Sequence, residues 1–172
     1  MRDGSMNQEL NQELKQLLPG LRRFAYSLTG TVPDADDLLQ GTVEKLLRRA
    51  PPEGVELNRW AFRVCRNLWI DECRSRKVRH EAAQKPELSD GHIVDGEHAT
   101  ISQIEFEQVN AAMARLPAGQ REIISLVALH GLSYQEVSDT LEVPKGTVMS
   151  RLARARVALS ALLNVESARA LP

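Results

Sequence analysis

Apolar residues recur along most of the chain at three- and four-residue spacing, which lays a stripe down one side of an α-helix; strict alternation of the half-buried-strand kind is almost absent. The spacing predicts a helix from about Asn7 to Leu18 and another from Leu21 to Leu28, with Pro19-Gly20 as a break or kink between them. A third helix starts near Thr31. There Thr-Val-Pro-Asp supplies a capping hydroxyl, an early proline and a first-turn acid, and the helix runs to about Arg49 before Pro51-Pro52 ends it. After the loop PPEGVELN comes a helix from about Arg59 to Val78. From Glu81 to Ser102 the period lapses and Pro86, Gly91 and Gly96 intervene, the pattern of a linker. Four more helices follow, at about Ile104 to Leu116, Ala118 to His130, Ser133 to Leu141 and Pro144 to Leu163. The expected fold is all-α, with two small helical domains at residues 1–80 and 103–172 joined by a flexible acidic linker at 81–102.

Composition agrees. At 172 residues and 42% apolar content the chain can bury one generous core or two small ones, and scarce aromatics with abundant Leu, Ala, Arg, Glu and Gln favour helix. No apolar run approaches the roughly 18 to 20 residues that cross a bilayer. The polar start MRDGSMNQELNQELK lacks a signal-peptide core, so a cytoplasmic protein without membrane insertion is expected. Cys65 and Cys73 stand about 12 Å apart along one helix, too far to bridge within it. No histidine joins them at zinc-finger spacing, so both read as buried thiols, with no metal and no cofactor expected.

The net charge of −1 hides a strong segregation. Residues 58–80 carry seven Lys or Arg against two acids, and residues 143–170 carry five against one, whereas residues 86–109 hold six acids and no Lys or Arg. Two basic blocks suited to phosphate therefore flank an acidic one.

The second basic block carries the clearest motif. Ser133-Tyr-Gln-Glu136 is a capping box directly after Gly131, Glu142-Val143-Pro144 makes a turn, and a second helix follows. On that helix Val148, Leu152, Ala155 and Leu159 share one face, while Thr147, Ser150 and Arg154, with Arg151 beside them, share the other. This is a helix-turn-helix whose outer face offers hydroxyls and guanidinium groups to base edges in the major groove. In the first block, Ala61, Phe62, Val64, Cys65, Leu68 and Trp69 form one side of a helix. Arg63, Arg66, Asn67, Arg74 and Lys77 form the other, with Ile70 among them.

Four motifs in order, DADDLLQ at Asp34 to Gln40, NRWAFRVCRNLWIDECR at Asn58 to Arg74, LPAGQREI at Leu116 to Ile123 and GLSYQEVSDTLEVPKGTVMSRLARAR at Gly131 to Arg156, make the chain resemble a bacterial RNA polymerase sigma factor. The resemblance is to the compact extracytoplasmic-function subfamily of the sigma-70 family, and it spans about Leu17 to Leu163. It implies a dissociable, non-enzymatic subunit that binds core polymerase and directs promoter recognition and melting, of stress-response genes. The implied partners are the clamp helices of the largest core subunit, the flap, promoter DNA and an anti-sigma factor.

By resemblance, Asp34, Asp36, Asp37, Gln40 and Glu44 face the core polymerase. The helical wheel independently turns Asp37, Gln40 and Glu44 away from Leu38, Leu39, Thr42 and Leu46. Gly41 stands where the family usually has an acid. The minus-10 element falls by resemblance to Glu56, Asn58, Arg59, Trp60, Arg63, Arg66, Asn67, Asp71, Arg74 and Lys77, with Asn67 and Asp71 touching flipped bases. Trp60 reads either as a stacking platform for an unpaired base or as core. Trp69 reads as core. The minus-35 element falls to Lys145, Thr147, Met149, Ser150, Arg151, Ala153 and Arg154; Lys145 and Arg151 suit phosphate, and Met149 and Ala153 depart from the family pattern. Two other readings compete: a sigma-like decoy that binds an anti-sigma factor, and a stand-alone helix-turn-helix regulator. Asp34, Asp36 and Asp37 point in different directions on one helix and make no metal site.

Overall fold

The computed structural model describes residues 3–83 and 101–170, with side chains described over 11–79 and 106–164; most of the expected linker, residues 84–100, lies outside the described residues. Seven α-helices and one π-helical turn make up the described chain. They are α1 (Asp3–Thr29), α2 (Val32–Arg48), α3 (Leu57–Ala83), α4 (Ile101–Ala114), α5 (Ala118–Ile124), the π turn (Ser125–Leu129), α6 (Tyr134–Leu141) and α7 (Lys145–Ala170). Among the described residues there is no strand.

The expected break at Pro19-Gly20 is absent, and α1 continues through Pro19 as one helix. An interior proline costs about 3 kcal/mol through a lost hydrogen bond and a clash. Against it stand Leu14, Leu21, Phe24 and Leu28, all buried on one face, each contributing about 1.5–3 kcal/mol. Burial on both sides of the proline outweighs the local preference to stop. Gly20 faces the His130 ring, which a Cβ there would meet at an ordinary contact distance of 3.7 Å.

The start of α2 follows the local chemistry closely. Thr31 is its N-cap, accepting from the Asp34 N–H at 3.3 Å, with Pro33 in the first turn. Ala35, Thr42 and Leu46 are buried, and the Thr42 hydroxyl donates to the Leu38 carbonyl at 2.7 Å, so its polar atom is satisfied inside the core. α1, α2 and α3 pack on one another as a three-helix unit.

The helix expected to run from Ala118 to His130 is α-helical only as far as Ile124 and then widens into the π turn. Gly131 ends it with a φ of 66°. The Leu132 N–H reaches the Leu126 carbonyl and the Gly131 N–H the Val127 carbonyl, both at 3.1 Å. This paired closure requires a left-handed residue, and glycine adopts that conformation without a Cβ penalty.

The two helical units share one apolar cluster. α1 packs against α4, α5 and the π turn, and α3 packs against α6. At the junction Phe24 and Phe62 meet edge to face with centroids 5.2 Å apart, and the His130 ring sits 4.8 Å from Phe62. Ser27 and Ser125 share a buried 2.6 Å hydroxyl–hydroxyl hydrogen bond across the same seam. Burial pushes His130 down to about pH 4, helped by the nearby Arg23 charge, so the ring is neutral at pH 7.

Candidate nucleic-acid and polymerase interfaces

Three surfaces carry the sequence-predicted residues. On α2, Asp37, Gln40 and Glu44 are exposed, with Gln40 donating to Glu44 at 3.3 Å and Arg48 3.9 Å from the same carboxylate. Asp36 is engaged differently. Arg22 of α1 grips it with a two-pronged contact of 2.7 and 3.1 Å, and that guanidinium holds its carboxyl below the usual carboxylate range. Asp34 accepts from Thr31 at 2.9 Å and lies 3.4 Å from Arg76 of α3, so it caps α2 and links it to α3. Gly41 faces inward, since a Cβ there would meet Leu68 at 3.7 Å.

On α3 the packing stripe is as expected, with Ala61, Phe62, Val64 and Cys65 buried and Trp60, Leu68 and Trp69 partly buried against the core. Burial drives the Cys65 thiol up to about 12. Cys73, expected to be buried, is exposed, because it lies past the end of the stripe that α1 and α2 cover. Glu56, Asn58, Asn67, Asp71, Arg74 and Lys77 are also exposed, and Asp71 lies 3.9 Å from Arg74.

The arginines at the α3 start behave otherwise. Arg63 donates from Nε to the Thr140 carbonyl at 3.1 Å and from Nη2 to the Asp139 carbonyl at 2.6 Å, while its Nη1 lies 2.9 Å from the Glu142 carboxylate. Arg66 forks onto Glu122 at 2.6 and 3.3 Å. Arg59 lies 3.6 Å from Glu56 and 3.8 Å from Asp139. The side chains of Arg63 and Arg66 are only 17% and 19% exposed, against 77% for Arg74. The C-terminal helices cover this part of the face.

The helix-turn-helix is built as its sequence predicts. Ser133 and Glu136 form the reciprocal capping box, with the Glu136 N–H donating to Ser133 Oγ at 3.2 Å and the Ser133 N–H to Glu136 Oε2 at 2.8 Å. These bonds hold the Glu136 carboxyl below its ordinary range. Glu142 ends α6 in the left-handed region at φ 56°, ψ 42°, and the Ser138 hydroxyl donates to the Val143 carbonyl at 2.7 Å to close the turn. On α7 Val148, Leu152 and Ala155 are buried. Lys145, Met149, Ser150, Ala153 and Arg154 are exposed and Thr147 half-buried, so the outer face is open. Arg151 turns aside, lying 4.0 Å from Glu122 and covering Gly119.

Sequence reasoning assigned no role to Arg121 or Glu122. Arg121 ties the units together, donating to the Leu28 carbonyl at 2.8 Å and to the carbonyls of Ala114 and Leu116, and stacking over Trp69 at 5.9 Å. Glu122 is 2% exposed, a carboxylate buried between Arg66 and Arg151. One signal could have found it: Glu122 stands four residues before buried Leu126, on the core stripe where an acid survives only with a cation beside it.

Residues 14–79 match the family model of sigma-70 region 2, and residues 106–159 match that of sigma-70 region 4. Two regions in this order on an all-α fold define a sigma-70-type transcription initiation subunit. The chain is 34% identical over 165 residues to the ECF RNA polymerase sigma factor EcfG of Rhodopseudomonas palustris, covering 95% of this chain and 90% of that protein. It is 31% identical over 144 residues to the ECF sigma factor SigM of Bacillus subtilis, covering 83% and 87%. Among solved structures, the sigma factor RpoE of Bartonella quintana, crystallised with the anti-sigma factor NepR, superposes with a TM-score of 0.79 at 30% identity, covering 91% of this chain and 98% of that one. The chain belongs to the extracytoplasmic-function RNA polymerase sigma factors, and its function is to direct RNA polymerase to promoters. Among the described residues no helix is long and apolar enough to cross a membrane.

Proposed function

We propose that residues 1–80 bind core polymerase and the minus-10 element, residues 103–172 bind the minus-35 element, and residues 81–102 only connect them. The exposed outer face of α7 carries this reading. Lys145, Ser150 and Arg154 lie free of the core on a helix whose other side is buried, the disposition that major-groove insertion needs. Ser150 and Arg154 read bases, Lys145 and Arg151 contact phosphate, and Thr147, Met149 and Ala153 shape the fit. On α2, Asp37, Gln40 and Glu44 meet the core polymerase directly, while Asp34 and Asp36 hold α2 against α3 and α1. On α3, Asn67 and Asp71 read extruded bases and the basic residues hold the melted strand's phosphates. Glu56, Asn58, Arg59 and Trp60 form the pocket wall beside them.

The chain acts in the cytoplasm, on stress-response genes, and contributes no catalysis; the polymerase performs nucleotidyl transfer. An anti-sigma factor holds it inactive, as the solved complex of the Bartonella relative supports. A groove of about 820 Å³ between α1, α2, α4 and the π turn, lined by Leu39, Phe106, Val109 and Leu129, offers an amphipathic helix an apolar seat.

The test is run-off transcription with purified core polymerase on a promoter library. Transcripts from selected start sites, present only when the chain is added, are the expected result. An active core that selects no start site in its presence would leave the decoy reading standing.

A further inference from the structure

Arg59, Arg63 and Arg66 lie within two turns of α3, and each is met by groups from the C-terminal unit. Glu122 forks onto Arg66 through both carboxylate oxygens, the same two-pronged geometry that a phosphate offers a guanidinium. Arg63 has all three of its nitrogens engaged: two on the last carbonyls of α6 and one on Glu142. A helix C-terminus carries partial negative charge, so these carbonyls add to the carboxylate. Asp139 stands 3.8 Å from Arg59. Three cations of α3 thus face one anionic edge made of Glu122, Asp139, Glu142 and the end of α6.

The recognition face of α7 is the opposite case. Lys145 and Arg154 have no carboxylate within ion-pair distance among the described residues, and only Arg151, at the inner edge of that face, lies near one, 4.0 Å from Glu122.

We infer that the anionic edge of α5 and α6 stands in for promoter phosphates on Arg59, Arg63 and Arg66, so that the closed packing of the two units and capture of the melted strand exclude one another. The inference rests on α3 being the strand-capturing face. An arginine has five N–H donors in one fork, and a guanidinium forked on a buried carboxylate cannot present the same edge to a phosphate. Strand capture requires the C-terminal unit to lift from α3. The free chain binds single strands in proportion to the fraction of molecules that are open. Binding to core polymerase, with each unit on its own seat, exposes the arginines where the melted strand forms.

The experiment uses the full chain. Affinity for a fluorescein-labelled, mixed-sequence single-stranded oligonucleotide is read by anisotropy, and compactness by the radius of gyration from X-ray scattering. Two variants remove the edge, Glu122→Gln in the seam and the surface pair Asp139→Asn/Glu142→Gln. A charge-matched control, Glu13→Gln/Glu107→Gln, removes two acids elsewhere. The edge variants are expected to expand and to bind the strand about five- to tenfold more tightly than wild type, while the control stays compact and within about twofold of wild type. If Glu122→Gln fails to fold, the surface pair carries the test, because Asp139 and Glu142 are exposed.

Edge variants that remain compact and bind no better than the control overturn the inference. Arg66→Ala separates this failure from failure of the strand-capture reading, since it should expand the chain without tightening strand binding. Expansion with tighter binding in Arg66→Ala would keep the exclusion and show that Arg66 serves closure alone, overturning its role at the strand. Weaker binding in Arg66→Ala together with inert edge variants would keep the strand face and reject the closure.

Discussion

The arginine end of α3 and the outer face of α7 are both basic helix surfaces, yet the fold treats them oppositely. Arg63 and Arg66 lie under the C-terminal unit, bonded to Asp139, Thr140 and Glu122, whereas Lys145 and Arg154 stand exposed. The contrast follows the DNA each would meet. Duplex is present before initiation begins, and a surface that reads it works when always available. A melted strand exists only after the polymerase has opened the promoter, so a surface for it loses nothing by being covered until then.

Substitutions test the contrast from its scaffold outward. Phe62→Ala removes the ring that joins Phe24 and His130 beneath the covered face and should lower stability by about 3–5 kcal/mol, read from urea denaturation. Met149→Ala on the open face should stay within about 0.5 kcal/mol. Comparable losses at the two positions would mean that α7 packs against something further. Arg154→Ala should reduce initiation from minus-35-dependent promoters about ten- to hundredfold while core binding, read by co-elution, is unchanged. Equal loss of both would place Arg154 in the fold and not at the groove.

A pH dependence should arise at the seam. His130 is depressed from its ordinary value to about 4 by burial, and then by Arg23. Above about pH 6.5 the ring is neutral folded or unfolded, so its contribution is fully present. As pH falls from there towards 4 the unfolded chain takes up the proton first, and stability is lost. The urea midpoint should therefore drop over that window in wild type and drop less in His130→Phe. Smallest is the helix-turn-helix cap: Ser133→Ala should cost about 1 kcal/mol, measured by thermal melting, with no change in the covered arginine face.

Much of this contrast could be read from the sequence on one side and little on the other. Thr31, Ser133 and Glu136 act on backbone groups within three residues, so the starts of α2 and α6 were legible, as were the buried stripes of α3 and α7. The open face of α7 followed from those stripes alone. The covered face did not, because Arg66 meets Glu122 across 56 positions and Arg63 meets Thr140 across 77, and pairing at such separation leaves no periodic trace. Pro19 misled for a related reason: its local cost is fixed, but the packing of α1 that overrides it comes from other helices, α2 and α3 foremost and then the C-terminal unit. The π turn likewise has an ordinary helical pattern, and its widening could not be seen in residues Ser125 to Leu129.

The most direct test of two separate DNA surfaces is permanganate footprinting of promoter complexes formed by holoenzyme carrying either Arg63→Ala/Arg66→Ala or Arg154→Ala. The first should bind promoter duplex yet leave the minus-10 thymines unreactive, and the second should form the duplex complex about ten- to hundredfold more weakly but melt the minus-10 thymines in whatever complex forms. Identical behaviour of the two, with both lost at duplex binding or both melting normally, would contradict the division of labour between α3 and α7.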